Sequence, residues 1–292
     1  MRANIVDADE ILTAEKVGRA LEAQKRLIDN ERRAQFESFG VPSECLWPAS
    51  RVYHEHSELG PAWAATLTVE EVDKITRNLD YKRYPNAERF ALPPTQTLEA
   101  KLEQAIRERH STRDYAPRSV PLNVLAKLLE LGDGVTKVQE IPRRAAPSAG
   151  ALYPVESYVI ALAVDGLEPG IYHYVPIIHE LERLRPIADI CAMEEFLPPD
   201  LLKARPPIVL VLTAVFSRVQ TKYLERGYRF ALLEAGHISQ NLMLTATALG
   251  LGSLAVGGFW DEPFNEFLGL DSTTEAVLYA LLAGYPDDAS GG

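Results

Sequence analysis

Residues 109–113 read Arg109-His110-Ser111-Thr112-Arg113. They close a stretch, Leu98 to Glu108, whose spacing predicts a helix. Two guanidinium groups, an imidazole and two hydroxyls fall within five positions. Nothing else in the chain gathers so many donors suited to an oxyanion. Arginine offers a planar, permanently charged fork, and serine and threonine add hydroxyl donors. The set suits a phosphate monoester. The other reading is an exposed basic helix end, which the helix dipole also favours.

The surrounding chain has 292 residues, 47% hydrophobic and 24% charged, with a formal net charge of -11. That is ample material for a sizeable core. An acidic surface argues against general binding to nucleic acid or anionic membranes, and leaves room for a local cationic pocket. Cys45 and Cys191 form no CxxC pair and read as two reduced thiols. The acidic N-terminal stretch has no apolar signal segment, and apolar runs such as Ile208 to Phe216 are of strand length. The expectation is a cytoplasmic protein with neither nucleic acid nor membrane as a partner.

On the N-terminal side, Ala8 to about Phe39 has a helical pattern through Ile11, Val17, Ala20, Leu21 and Leu27. This is either a dimer arm or a helix lying on its own domain. Residues 1–50 form an expected N-terminal helical extension, and residues 51–292 a single further domain. Val41 to Leu92 is mostly irregular, with a short helix over Thr68 to Leu79. His54 and His56 would share a strand face, but no third ligand stands at a recognisable spacing, so a surface loop is favoured over a metal site.

On the C-terminal side, Pro121 starts an amphipathic helix through Leu131, with stops at Gly132 and Gly134. The loop Arg143-Arg144-Ala145-Ala146-Pro147-Ser148-Ala149-Gly150-Ala151-Leu152-Tyr153-Pro154 follows. Its small residues would let a flat ligand approach the backbone, or they form only a turn before the strand Val155 to Val164. Gly170 to Tyr174 and His179 to Leu184 read as a hairpin, with His173 and His179 as hairpin residues rather than catalysts. Ile187 to Phe196 reads as a helix, and Ile208 to Leu212 as a buried strand. Lys222-Tyr223 opens the next segment. The helix Tyr228 to Leu249 is apolar nearly all round and hence central. Glu234, His237, Gln240 and Asn241 share one side of it, and a buried polar stripe there needs partners from a symmetry mate, a cofactor or the subunit itself. After Gly250 to Gly252 come a strand and turn, Ser253 to Phe259, a short helix, Glu262 to Leu268, and a last strand, Glu275 to Ala283. Helices alternating with apolar strands predict an α+β fold with a sheet flanked by helices.

The Arg109–Arg113 stretch resembles, position for position, the Arg-Arg/His-Ser-x-Arg/Lys signature of the nitroreductase-like flavoproteins. Pro147-Ser148-Ala149-Gly150-Ala151-Leu152-Tyr153-Pro154 and the Gly170–Leu184 hairpin resemble its SagB-type branch, the flavin dehydrogenases of thiazole/oxazole-modified peptide pathways. The resemblance covers roughly residues 51–286. It implies a nitroreductase-like fold, a central mostly antiparallel sheet flanked by helices, in a domain-swapped-type homodimer with FMN at the interface. It makes residues 51–292 an FMN-binding domain. By that likeness Arg109, His110, Ser111 and Arg113 hold the FMN phosphate end, while Pro147, Ser148, Ala149, Gly150 and Leu152 lie beside the ring. Gln240 and Asn241 lie on the cofactor side of the long helix, and the Val256-Gly257-Gly258 segment offers a backbone N–H to the ring. The tail 287–292 has none of the basic residues that many relatives contribute there, so fewer charges would hold the phosphate.

Lys222-Tyr223 resembles the Lys-Tyr pair implicated in catalysis in SagB-type dehydrogenases. The implied function is FMN-dependent oxidation of thiazoline or oxazoline rings in a peptide to thiazole or oxazole, with oxygen reoxidising the flavin. Such a reaction removes a hydride and a proton from adjacent carbons, and the proton needs a base. A cyclodehydratase or carrier protein is the further partner implied. The competing readings are an NAD(P)H-dependent nitroreductase or other small-molecule oxidoreductase, and a non-catalytic scaffold subunit of a biosynthetic complex.

Overall fold

The structure is a computed structural model and describes residue 68 and residues 81–139, 141–224 and 226–287. The N-terminal helix, the His54/His56 pair, Cys45, the Thr68–Leu79 helix and the tail beyond Asp287 lie outside the described residues. The chain divides into two compact units, Met1–Thr66 with Tyr223–Arg226, and Leu67–Lys222 with Gly227–Gly292. The second unit holds the sheet, and Tyr223–Arg226 mark the helix break that belongs to the first.

Its centre is a seven-stranded sheet in which every neighbouring pair is antiparallel. In chain order the strands are β1 (Glu88–Ala91), β5 (Val155–Ala161), β7 (Gly170–Val175), β8 (Glu180–Pro186), β9 (Ile208–Val215), β10 (Gly252–Val256) and β11 (Glu275–Gly284). Their spatial order is β1-β8-β7-β5-β9-β11-β10. Two small pairs stand apart: β2 (Val120–Pro121) with β6 (Val164–Asp165), and β3 (Val135–Lys137) with β4 (Arg143–Arg144).

Both faces of the sheet are covered, so β5 and β7 are buried at every position. One face takes Val155, Val159, Leu210 and Leu212 against α2 (Leu122–Asp133) and α5 (Arg226–Ala248). The opposite face takes Tyr158, Ile160, Val209 and Val211 against residues 187–204 and α6 (Asp261–Leu268). The two-residue period of a strand sends alternate side chains to the two layers. The expected α+β architecture and antiparallel sheet are present. Strand β9 runs on to Val215, since Thr213, Ala214 and Val215 still pair with β11.

Three helices differ from the expectation. The first, α1 (Leu102–Glu108), starts late, because Thr95 is bound to Lys127 at 2.9 Å and to Glu130, which holds the preceding stretch against α2. Residues 187–196 hold only a 3-10 turn, Ile190–Met193, capped by the Asp189 carboxylate and flanked by Pro186 and Pro198. The helix α4 (Phe216–Tyr223) was not legible, being largely polar with only Val219 buried. A short helix, α3 (Pro199–Lys203), precedes β9. Among the described residues no helix is long and apolar enough to cross a membrane.

Candidate functional site

Helix α1 ends at Arg109, whose backbone leaves the helical region. His110 folds back, its Nδ1–H donating to the Glu108 carbonyl at 2.9 Å. The chain then runs beside the edge strand. Ser111 bridges Ser253 in parallel fashion, and the Thr112 N–H donates to the Ser253 carbonyl at 2.9 Å. Tyr115 pins the stretch from below, its buried hydroxyl bonded to the carbonyls of Thr112 at 3.0 Å and Leu282 at 3.3 Å. Thr112 is buried, whereas His110, Ser111 and Arg113 are exposed and Arg109 is half-buried. The donors thus point away from the core while the backbone is fixed to β10. That strand leads to Val256, Gly257 and Gly258. A side chain at Gly258 would meet nothing within 4 Å, and one at Gly257 only the Tyr279 ring at 3.7 Å, so their backbone is open to a ligand.

The second group forms around residues 143–154. Arg144, fully buried, pairs with Asp133 at the end of α2 at 2.7 Å and fixes the start of the loop. Burial pushes the Asp133 carboxyl up to about 6 despite this partner. The turn that follows is strained: φ is +64 at Gly150, +55 at Ala151 and +44 at Tyr153. Glycine occupies this region freely, but alanine and tyrosine do not. Each such residue costs on the order of 1–3 kcal/mol and persists only where its surroundings over-determine it. Tyr153 meets that condition. Its N–H donates to Ser148 Oγ at 2.9 Å, its hydroxyl to the Pro142 carbonyl at 3.0 Å, and its own carbonyl accepts from Arg218 at 3.1 Å.

Helix α5 backs this loop. Asn241 donates to the Ala145 carbonyl at 3.3 Å. Glu234 is buried beneath the turn, where Val155 N–H approaches it at 3.4 Å. Burial pushes its carboxyl up to about 7, the Ser148 hydrogen bond and the Arg144 charge pulling the other way. Within the single chain, burial divides the expected polar stripe on this helix. Glu234 is buried and Asn241 half-buried, but His237 and Gln240 are exposed, because their face of α5 turns away from the sheet. Exposed Leu232 and Leu233 lie on the same helix.

Lys222 and Tyr223 are the last two residues of α4 rather than the opening of the next segment. Successive helical residues point about 100° apart, and the two compact units divide between them. Lys222 does share a helix face with Arg218, one turn earlier. The structure therefore gathers Ser111, Thr112 and the strand leading to residues 256–258 into one group. It gathers Ser148, Tyr153, Glu234, Asn241 and the Arg218 face of α4 into another.

Sequence reasoning passed over Arg218, Gly252 and Glu156. The spacing of Arg218 and Lys222 was the available sign of the first; Gly252 read only as a helix stop. His173 is a hairpin residue as expected, but it is also wholly buried between two carboxylates, Glu156 at 2.9 Å and Glu182 at 3.2 Å. Among the described residues no group of three or more His, Cys, Asp or Glu could hold a metal ion.

The nitroreductase family model matches residues 106–285. A Methanocaldococcus jannaschii protein named among the nitroreductases, MJ1384, is 37% identical over 172 residues, covering 58% of this chain and 85% of that protein. The microcin B17-processing protein McbC of Escherichia coli is 32% identical over 151 residues, covering 50% of this chain and 56% of McbC. The matched region therefore spans little more than half of McbC. Among solved structures, a chain of the Escherichia coli microcin synthetase McbBCD complex with truncated pro-MccB17 bound superposes with a TM-score of 0.57. It is 25% identical, over 76% of this chain and 84% of that one. The antiparallel sheet, the donor stretch fixed to its edge strand and the family match over residues 106–285 agree, and the chain belongs to the nitroreductase family, whose members are flavoprotein oxidoreductases.

Proposed function

We propose that this chain is an FMN-dependent dehydrogenase that oxidises thiazoline or oxazoline rings of a peptide to thiazole or oxazole. The observation that carries the reading is the link between the strained turn and α4. Arg218 holds the Tyr153 carbonyl, and Lys222 stands one turn further along the same helix face. The helix with the proposed base is thereby attached to the loop proposed to lie against the cofactor. The similarity to a microcin-processing protein supports a peptide substrate.

The donor set fits FMN. Arg109, Ser111 and Arg113 suit its phosphate, with His110 beside them, and permanent charge on arginine makes those bonds strong. Thr112 Oγ1 and Ser253 Oγ are buried there and make no hydrogen bond among the described residues. The unobstructed backbone at Gly257 and Gly258 suits a flat ring, as do the small residues Pro147, Ser148, Ala149 and Gly150; Leu152, whose side chain is fully buried, would offer only its backbone. Gln240 and Asn241 complete the proposed lining. Bound FMN supplies the acceptor for the electron pair leaving with one ring hydrogen, and dioxygen is the terminal oxidant. The chain's own residues handle the other hydrogen as a proton, taken by Lys222 or Tyr223. The protein then works as a homodimer, which would bring the two residue groups together across subunits. Exposed Leu102 and Ile106 of α1 and Leu232 and Leu233 of α5 supply apolar surface for that contact. A cyclodehydratase or carrier is the natural further partner, in a cytoplasmic setting, and residues 1–50 form an extension outside the FMN-binding domain.

The similarity to MJ1384 favours a second reading, an NAD(P)H-dependent nitroreductase. Anaerobic mixing separates the two. An azoline peptide should bleach the bound flavin and NADPH should not; fast bleaching by NADPH alone would favour the second.

A further inference from the structure

The turn Gly150–Tyr153 keeps three positive φ angles, and the groups that hold it come from two places. Ser148 and Pro142 belong to the loop itself. Arg218 comes from α4, and it does not act alone. Its Nη1 also pairs with Glu156 Oε1 at 2.5 Å. The other oxygen, Glu156 Oε2, faces His173 Nε2 at 2.9 Å, and His173 Nδ1 faces Glu182 Oε2 at 3.2 Å. Glu182 is held in turn by Arg83 Nε at 2.7 Å and by the Tyr84 N–H at 3.0 Å. The row crosses β5, β7 and β8, and Glu156, His173 and Glu182 are all buried.

Burial raises the Glu156 carboxyl, but the His173 hydrogen bond and the Arg218 charge override it and hold it down at about 2. Glu182 is held below the usual carboxylate range as well, by Arg83, the Tyr84 amide and His173 against its burial. Each member is fixed by the next. Arg218 cannot swing away from the turn without breaking its ion pair with the buried, ionised Glu156, which would keep only His173, and removing one partner from a buried ion pair is strongly unfavourable. The position of the donor that meets the Tyr153 carbonyl is thus set by the sheet interior rather than by the loop.

We propose that Arg218 is a positioning residue that locks the strained turn Gly150–Tyr153 in shape, and that the Glu156–His173–Glu182 row holds Arg218 in place. The positional claim stands on these contacts; its consequence for catalysis rests on the reading that the turn faces the cofactor.

Hydrogen–deuterium exchange on the full chain, with and without added FMN, tests it. In Arg218→Met, amides of residues 148–154 should exchange about ten- to a hundredfold faster than in wild type, the scale of one lost charge-assisted hydrogen bond. The strands β5, β9 and β11 should stay protected. Arg218→Lys, which keeps the charge but loses the fork, should lie between the two. Unchanged exchange at residues 148–154 in Arg218→Met with intact strands would overturn the proposal. If that variant loses protection throughout the sheet, Glu156→Gln decides, since it keeps the shape and removes the charge. Faster exchange confined to the turn supports the proposal, and unchanged exchange there overturns it. A wild-type protein that binds no FMN, with a turn that still opens in Arg218→Met, would remove the cofactor reading and leave the positioning role standing.

Discussion

Thr112 fills the space that any side chain at residue 252 would need: a Cβ built on Gly252 would lie 2.4 Å from the Thr112 hydroxyl oxygen. The donor stretch and the edge strand are fitted to each other at this point. Glycine is required at 252 because Thr112 passes so close, and Thr112 is buried because glycine stands there. Gly252→Ala should therefore destabilise the fold by about 1–3 kcal/mol through overpacking. It should also shift the Arg109–Arg113 stretch and weaken FMN retention. Thermal unfolding and flavin content of the purified variant check this; a wild-type melting temperature together with full flavin content would count against the fit.

Removing Arg109 tests the proposed phosphate site directly. Arg109→Ala deletes a charge-assisted hydrogen bond worth on the order of 1.5–3 kcal/mol. By that arithmetic FMN affinity should fall roughly ten- to a hundredfold. Fluorescence titration of apoprotein with FMN measures it. An unchanged dissociation constant would take Arg109 out of the site.

Glu234 predicts a pH signature. Its folded-state carboxyl lies at about 7 against an ordinary 4.5. The folded protein thus holds this proton more tightly than the unfolded chain does. The contribution is fully present below about 4.5 and is lost as pH rises through about 7. Converted at about 1.4 kcal/mol per unit, the loss is on the order of 3 kcal/mol. Glu234→Gln keeps the shape and cannot ionise. Between pH 5 and pH 8 it should lose less stability than wild type in denaturant unfolding. Parallel pH profiles for the two proteins would show that Glu234 does not titrate in this range.

Part of the fold was legible because a strand buried on both faces announces itself as a continuous apolar run, as Ile208–Leu212 does. Val155–Ala161 is buried throughout, but Glu156 and Ser157 break its run. The 109–113 stretch stood out in the sequence because five donor-bearing side chains stand together, and in the structure His110, Ser111 and Arg113 are exposed. What was not legible depends on distance in sequence. Nothing local in Arg218 says that its partners are Tyr153 and Glu156, each more than sixty positions away. Helix α4 is short and largely polar, and Val219 is its one buried residue, so Phe216, Val219 and Tyr223 are too few apolar positions to announce it. The pattern of α5 places Glu234, His237, Gln240 and Asn241 on one side, yet burial divides them, since only tertiary packing decides which part of that side meets the loop.

The proposed base can be separated into its two members by substitution. Tyr223→Phe keeps the ring, and Lys222→Met keeps most of the stem. Whichever is the base, its variant should bind FMN normally and lose about 10²–10⁴-fold in dehydrogenation rate. Steady-state turnover of a competent azoline peptide measures this. Near-wild-type turnover in both variants would end the catalytic reading of the pair.

The most direct measurement is mass spectrometry of an azoline-containing peptide incubated aerobically with the FMN-loaded protein and without NAD(P)H. The account predicts loss of two hydrogens per oxidised ring, with loss of azoline and gain of azole absorbance. A peptide of unchanged mass, in a preparation that rapidly reduces a nitroarene with NADPH, would contradict it.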